Sequence, residues 1–190
     1  MKIMFALLLV FVALVGMVFT FAWMDGEFGD SPFGTSVNAD GPITGVEKSY
    51  LEFMIAHLDM SASEISNLGV LFSNSDFENQ EWQAAVYLTV SRIQAAFANV
   101  VNLEPTERLV PFHESALSTL SHSAKFGELV DGIVSSGSSQ LTDEAVRELL
   151  ALGQGFVETE TLLDEFLDAH PVPEELSSSD RQDAQTSEAG

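Results

Sequence analysis

Ile3 to Met24 is an unbroken run of 22 residues without a charge, IMFALLLVFVALVGMVFTFAWM. As a helix it is about 33 Å long, enough to cross the hydrocarbon core of a bilayer. Trp23 falls where an interfacial aromatic anchor is expected. Lys2 and the terminal amine are the only positive charges before Lys48, whereas Asp25, Glu27 and Asp30 follow the run directly. That asymmetry places Met1 and Lys2 in the cytoplasm and everything after Met24 outside. The competing reading is a secretory signal peptide cut at Thr20-Phe21-Ala22, a small-x-small site in which Thr is imperfect. The apolar stretch is longer than a usual signal core, so we expect residues 1–24 to be an uncleaved transmembrane anchor. Secretion after cleavage is the alternative, and under either reading the remaining chain lies outside the cytoplasm. With the anchor retained, only Met1 and Lys2 stay inside, so any inward signal has to pass through a partner.

Charge narrows the partners. The chain of 190 residues carries 7 Lys+Arg against 29 Asp+Glu, a formal net charge of −22. Nucleic acid and anionic lipid head groups both need basic patches, so neither is an expected partner. A basic protein partner, cation-rich surroundings or simple solubility all suit such a surface. Lysine occurs only at Lys2, Lys48 and Lys125, so most carboxylates face other carboxylates or water, as in proteins adapted to high salt; acidic secreted proteins have the same look. There is no cysteine, which excludes disulfides, thiolate catalysis and thiolate metal sites.

Residues 25–42 begin DGEFGDSPFGTSVNADG, rich in Gly, Asp and Ser, and read as a flexible linker. A calcium loop would need the EF-hand spacing with a closing Glu, which this stretch lacks. Residues 43–170 then show four helical periodicities and no strand alternation. Thr44-x-x-Glu47 is a capping box for the first, whose apolar face runs through Leu51, Met54, Leu58, Ile65, Leu68 and Phe72. Ser61-x-x-Glu64 repeats the capping pattern and predicts a break near Ser61. Ser75-x-x-Glu78 is the expected cap of the second helix, with Trp82, Val86, Thr89, Ile93, Ala96, Val100 and Leu103 inward and Phe97 and Val101 widening the stripe. Pro105 suits a first helical position, and Pro111 predicts that regular helix begins or kinks there. Phe112, Ala116, Leu120, Ala124 and Val130 line the third helix, and Ser135 to Gln140 end it. Thr142 caps the fourth, with Asp143 and Glu144 in its first turn and Leu149, Leu152, Phe156, Leu163 and Phe166 inward. Pro171 closes it, and residues 171–190 lack apolar periodicity and read as a disordered acidic tail. The expected fold is all-α, an N-terminal transmembrane helix followed by an up-down-up-down four-helix bundle.

The histidines are the residues most like a site. His113 follows Pro111 at a helix entry, but no nucleophile context accompanies it. A metal would want ligands at i+3 or i+4, and these are Ala116 and Leu117. The reading favoured for His113 is a partly buried side chain that packs across the helix entry and bonds a loop carbonyl. His113 and His122 are half a turn out of phase and point to opposite faces. The Glu-x-x-His pairs of di-iron bundles are absent, since Met54, Val110, Thr119 and Leu167 precede the four histidines by three. His170, against Pro171, is placed to meet the last helical carbonyls. Gly153-Gln154-Gly155 lies inside the fourth helix without the strand and Lys of a phosphate loop, and reads as close packing or a bend. No residue is assigned a catalytic, cofactor-binding or metal-ligating role.

The fourth helix also carries eight acids and one base, Arg147. Glu144 and Glu148 form a like-charged i, i+4 pair, as do Glu160 with Asp164 and Asp164 with Asp168. Such a row is a solvated face, a docking surface for a basic partner, or a site of weak diffuse cation binding. The run from Leu103-Glu104-Pro105 through PFHESALSTL to about Leu167 resembles a loose group of secreted or membrane-anchored helical-bundle domains, in which a proline-marked helix start precedes a histidine and an apolar helix. That resemblance implies fold and location and carries no activity. The expected role is a non-enzymatic interaction or scaffold module outside the membrane, with a small-ligand or cation-binding bundle as the alternative. Oligomeric state is left open.

Overall fold

Regular structure in the computed structural model, which describes residues 41–173 apart from Ser139, is entirely helical. The anchor expected over 1–24, the linker up to residue 40 and the tail beyond 173 lie outside the described residues. The helices are α1 (Gly45–Ser73), α2 (Gln80–Val100), α3 (Val110–Ser135) and α4 (Asp143–Ala169), with a 3-10 turn over Glu107–Leu109 leading into α3. Chain neighbours pack together, α1 on α2, α2 on α3 and α3 on α4, and α1 makes a smaller contact with α3. The two ends of the described chain meet, where the Ile43 N–H donates to the Pro171 carbonyl at 3.4 Å.

Three of the four helices, α1, α2 and α4, start where a side chain satisfies their first free N–H groups. Thr44 and Glu47 form the expected capping box on α1, with both reciprocal bonds present. Thr142 caps α4 by accepting from the Ala145 N–H at 3.1 Å. On α2 the cap is Asn79, not Ser75: its Oδ1 accepts from Glu81 N at 2.8 Å and Trp82 N at 3.2 Å. Asn79 lies next to the aromatic packing of Phe77 on Trp82, centroids 4.7 Å apart, which fixes the entry angle of the helix. Pro111 sits at the second position of α3, where its missing N–H costs nothing, so the regular helix begins there as expected. Pro105 lies in the extended stretch before the 3-10 turn rather than at a first helical position. α3 ends in a Schellman motif: Gly137 takes φ +66°, its N–H bonds the Val134 carbonyl and that of Ser138 the Ile133 carbonyl.

The break expected near Ser61 does not occur. α1 runs straight through it because Leu58, Ser61, Ile65 and Leu68 continue one buried stripe. Glu64, freed from a capping role, reaches Arg92 on α2 instead, at 3.0 Å. The remaining core follows the apolar spacing: Met54, Val86, Ile93, Val100, Leu120, Leu152 and Phe156 are all within 2% of complete burial. Ala124 and Leu149 are half-buried, and Val101 is exposed, since α2 stops at Val100 and the chain turns away. Among the described residues no helix is long and apolar enough to cross a membrane.

Candidate functional site

The densest polar construction sits where the ends of α1, α3 and α4 converge. Glu47, in the first turn of α1, is completely buried. Its Oε2 accepts from Thr44 N at 3.0 Å and Thr44 Oγ1 at 2.8 Å. Its Oε1 accepts from Thr106 Oγ1 at 3.0 Å and Arg108 Nε at 2.9 Å, and Arg108 Nη2 closes a second bond to Oε2. The guanidinium is thus docked fork to fork on the carboxylate, the geometry that suits a buried pair. Arg108 Nη1 also donates to the Gly41 carbonyl at 2.8 Å and approaches His170 Nδ1 at 3.4 Å, while Nη2 reaches the Pro42 carbonyl at 3.3 Å. The Phe166 ring of α4 lies 6.0 Å from the guanidinium carbon, and His170 packs on that ring at 4.7 Å. Burial opposes ionisation of Glu47, but the Arg108, Thr44 and Thr106 hydrogen bonds overcome it and hold its carboxyl down at about 2.

One turn further along, His113 of α3 is buried against α1, and the Tyr50 hydroxyl donates to its Nδ1. The expected packing across the helix entry is present, but the partner is this hydroxyl, not a loop carbonyl: Tyr50 lies about one turn beyond Glu47 on α1. Burial lowers the pKa of the imidazole, partly offset by Glu114, so it accepts the bond as a neutral ring. Burial pushes the Tyr50 phenol up to about 12, keeping its proton in place.

The other histidines tie helix to helix as well. His57 donates from Nδ1 to the Phe53 carbonyl at 2.8 Å, leaving Nε2 to accept from Asn99 on α2 at 3.3 Å. His122 turns the opposite way from His113 and meets Glu148 of α4 at 2.7 Å. The His170 backbone N–H donates to the Phe166 carbonyl at 3.0 Å, while its ring meets Arg108 and Phe166. The four rings stay in four separate environments, and among the described residues no group of three or more His, Cys, Asp or Glu could hold a metal.

Between α3 and α4 lies a layer of hydroxyls. Thr159 Oγ1 is 2.9 Å from Ser115 Oγ and 3.2 Å from Thr119 Oγ1, and Thr119 donates to the Ser115 carbonyl at 2.9 Å. Gly155 makes the layer possible: a Cβ there would stand 2.5 Å from Thr119 Oγ1. The Gly153-Gln154-Gly155 run is therefore close packing, since α4 continues through it without a break.

The α4 acids lie on its outward side. Glu144, Glu158, Asp164, Glu165 and Asp168 are exposed, and Glu148 and Glu160 are partly so. Burial, then the neighbouring Asp164 charge, raise the pKa of Glu160, so this carboxyl resists ionisation. Among the described residues the ion pairs join Lys48 to Glu52, Arg92 to Glu64, Arg108 to Glu47, Lys125 to Glu128 and His122 to Glu148, and Lys125 also feels the charges of Glu144 and Glu148 on α4.

The Arg108 docking was not legible from spacing. Glu47 was visible as a capping residue, but its partner lies 61 positions away. One signal was present: Arg108 is one of only seven bases, placed inside a turn that must be held against the rest of the domain. No family model, no curated protein and no solved structure matches this chain.

Proposed function

We propose that this chain is a membrane-anchored, extracytoplasmic, non-enzymatic interaction or scaffold module, an up-down-up-down four-helix bundle whose α4 face docks a basic protein partner. The short connections between sequentially packed helices support that topology. The observation that carries the functional reading is the division of labour among the charges. The buried Glu47, Glu64, His57 and His113 and the enclosed Arg108 side chain are engaged in joining helices, whereas the α4 carboxylates other than Glu148, which meets His122, face outward in whole or in part and repel one another. A surface that costs folding energy and carries one sign of charge steers an oppositely charged partner.

Two experiments test it. Protease added to intact cells should cleave the domain without permeabilisation; protection until the membrane is opened would remove the extracytoplasmic placement. For the docking face, oligolysine serves as a stand-in for a basic surface. The full chain should bind it in a salt-sensitive manner, and Glu160→Gln/Asp164→Asn/Asp168→Asn should weaken binding about tenfold, as expected for losing three steering charges. Equal binding by the variant would move the docking surface off α4.

A further inference from the structure

We propose that two copies of this chain associate through the outward face of α1, packed antiparallel against each other. Val46, Phe53 and Met60 recur every seven residues on α1, and Val70 follows at the next compatible step. They are 58%, 43%, 41% and 58% exposed. Between them, at three- and four-residue steps, stand Ser49, Ala56, Ser63 and Asn67, also exposed. The eight positions make a strict 3.5-residue repeat over about 36 Å, the period that keeps one seam against a second helix in a left-handed pair. A helix that merely faces water has no need of that period.

Charge identifies the occupant as a second copy. None of the eight positions is ionised, in a chain whose formal charge is −22. Two copies repel wherever their acidic faces meet, and α4 with its eight acids against one base cannot face itself. At one margin of the seam, Glu64 is neutralised by Arg92 at 3.0 Å. At the other, Glu52 pairs with Lys48 at 3.8 Å and Asp59 is exposed, so salt should strengthen the association. The outward face of α2 is also poor in charge, but its large apolar groups, Tyr87 and Leu88, stand together in one turn. The turns around them present Ala84, Ser91, Gln94 and Ala95, so no seam of large side chains runs along α2 as it does along α1.

Side-chain size selects the direction. In an antiparallel pair centred on Leu58, Phe53 lies opposite Ser63 of the second copy, Met60 opposite Ala56, Asn67 opposite Ser49 and Val46 opposite Val70. Every Phe and Met then meets a small residue, which is how facing layers interdigitate. A parallel pair would set Phe53 on Phe53 and leave Ser49, Ala56 and Ser63 facing one another across gaps. A seam one helix wide is at the low end of specific interface sizes, so the association depends on concentration.

The absence of cysteine makes the test clean, because any disulfide reports the introduced positions. Full-length chains bearing Ser49→Cys and Asn67→Cys, tagged to differ in size, are mixed and oxidised. The mixed 49–67 product should exceed the 49–49 and 67–67 products, and that of Gln154→Cys on α4, by about tenfold; Phe53→Glu, an exposed position that leaves the core intact, should lower it by a similar factor. A predominant 49–49 product would overturn the antiparallel pairing. Cross-linking at Gln154→Cys as strong as the mixed product, or no product up to roughly 100 μM, would overturn self-association and leave the face to another occupant.

Discussion

Glu47 and Glu160 are the same residue in opposite circumstances. Glu47 lies buried beneath a docked guanidinium and two threonine hydroxyls, which bring its carboxyl down to about 2. Glu160 is half-buried on α4 with Asp164 one turn on, and burial first and that charge second push its carboxyl up. The first charge is spent on the fold, joining the start of α1 to the turn before α3, and Arg108 extends the junction to the end of α4. The second works against the fold. Comparing the two regions separates charge that builds the domain from charge that does not.

The comparison breaks most completely at Arg108. Arg108→Met leaves the Glu47 carboxylate buried without its counter-ion and should cost about 3–5 kcal/mol, read as a lowered denaturant midpoint. Replacing both residues, as Glu47→Leu/Arg108→Met, should recover much of that loss, because no unpaired charge remains. A single variant as stable as the parent would show that the junction does no structural work.

That junction marks the limit of what the sequence discloses. Helix number, the capping roles of Thr44 and Thr142 and most inward faces were legible, because apolar period and capping chemistry are local. Ser61-x-x-Glu64 misled for the same reason: the local pattern fits a cap, and burial of the Leu58–Ser61–Ile65 stripe outweighs it. Asn79 and Ser75 are both good caps, and the choice between them rests on where Phe77 packs. The Glu47–Arg108, Tyr50–His113 and Thr119–Thr159 contacts join residues 40 to 63 positions apart, and no spacing rule reaches that far. The acidity of α4 was legible in full, since it is a property of one helix.

Acid should act on the buried end first through linkage. Because the Glu47 carboxyl sits below its usual value of 4.5, its contribution is present above about pH 4.5 and lost as pH falls toward 2. The loss is on the order of 3 kcal/mol at most. His113, lowered by burial, adds an earlier decline as pH drops below about 6.5, the unfolded-state value, toward its own depressed one. Tyr50 acts at the other end: the unfolded phenol ionises near 10, so stability falls from there toward pH 12. Denaturation curves across this range check all three windows, and Glu47→Gln should flatten the one below pH 4.5.

Between the two regions lies the α3–α4 hydroxyl layer, which Gly155→Ala should disturb. Alanine gains about 1 kcal/mol of helix propensity, but its methyl meets Thr119 at 2.5 Å, with the Thr119 Cβ and Cα close behind. Overpacking of that kind costs about 1–3 kcal/mol, so the net change should be destabilising, and a higher melting temperature would contradict the close approach.

The smallest effects belong to α4. Each like-charged i, i+4 contact in the row Glu160, Asp164 and Asp168 costs about 0.2–0.5 kcal/mol at low salt, so neutralising the row should stabilise slightly. This sign, opposite to that at Arg108, carries the account. The measurement that decides it is the melting temperature of the full chain and of Glu160→Gln/Asp164→Asn/Asp168→Asn from low to molar salt. The parent should rise with salt and the variant start higher and rise less, since screening and neutralisation remove the same repulsion. A parent whose melting temperature ignores salt, or a variant less stable than the parent, would mean that the α4 carboxylates are part of what holds the bundle together.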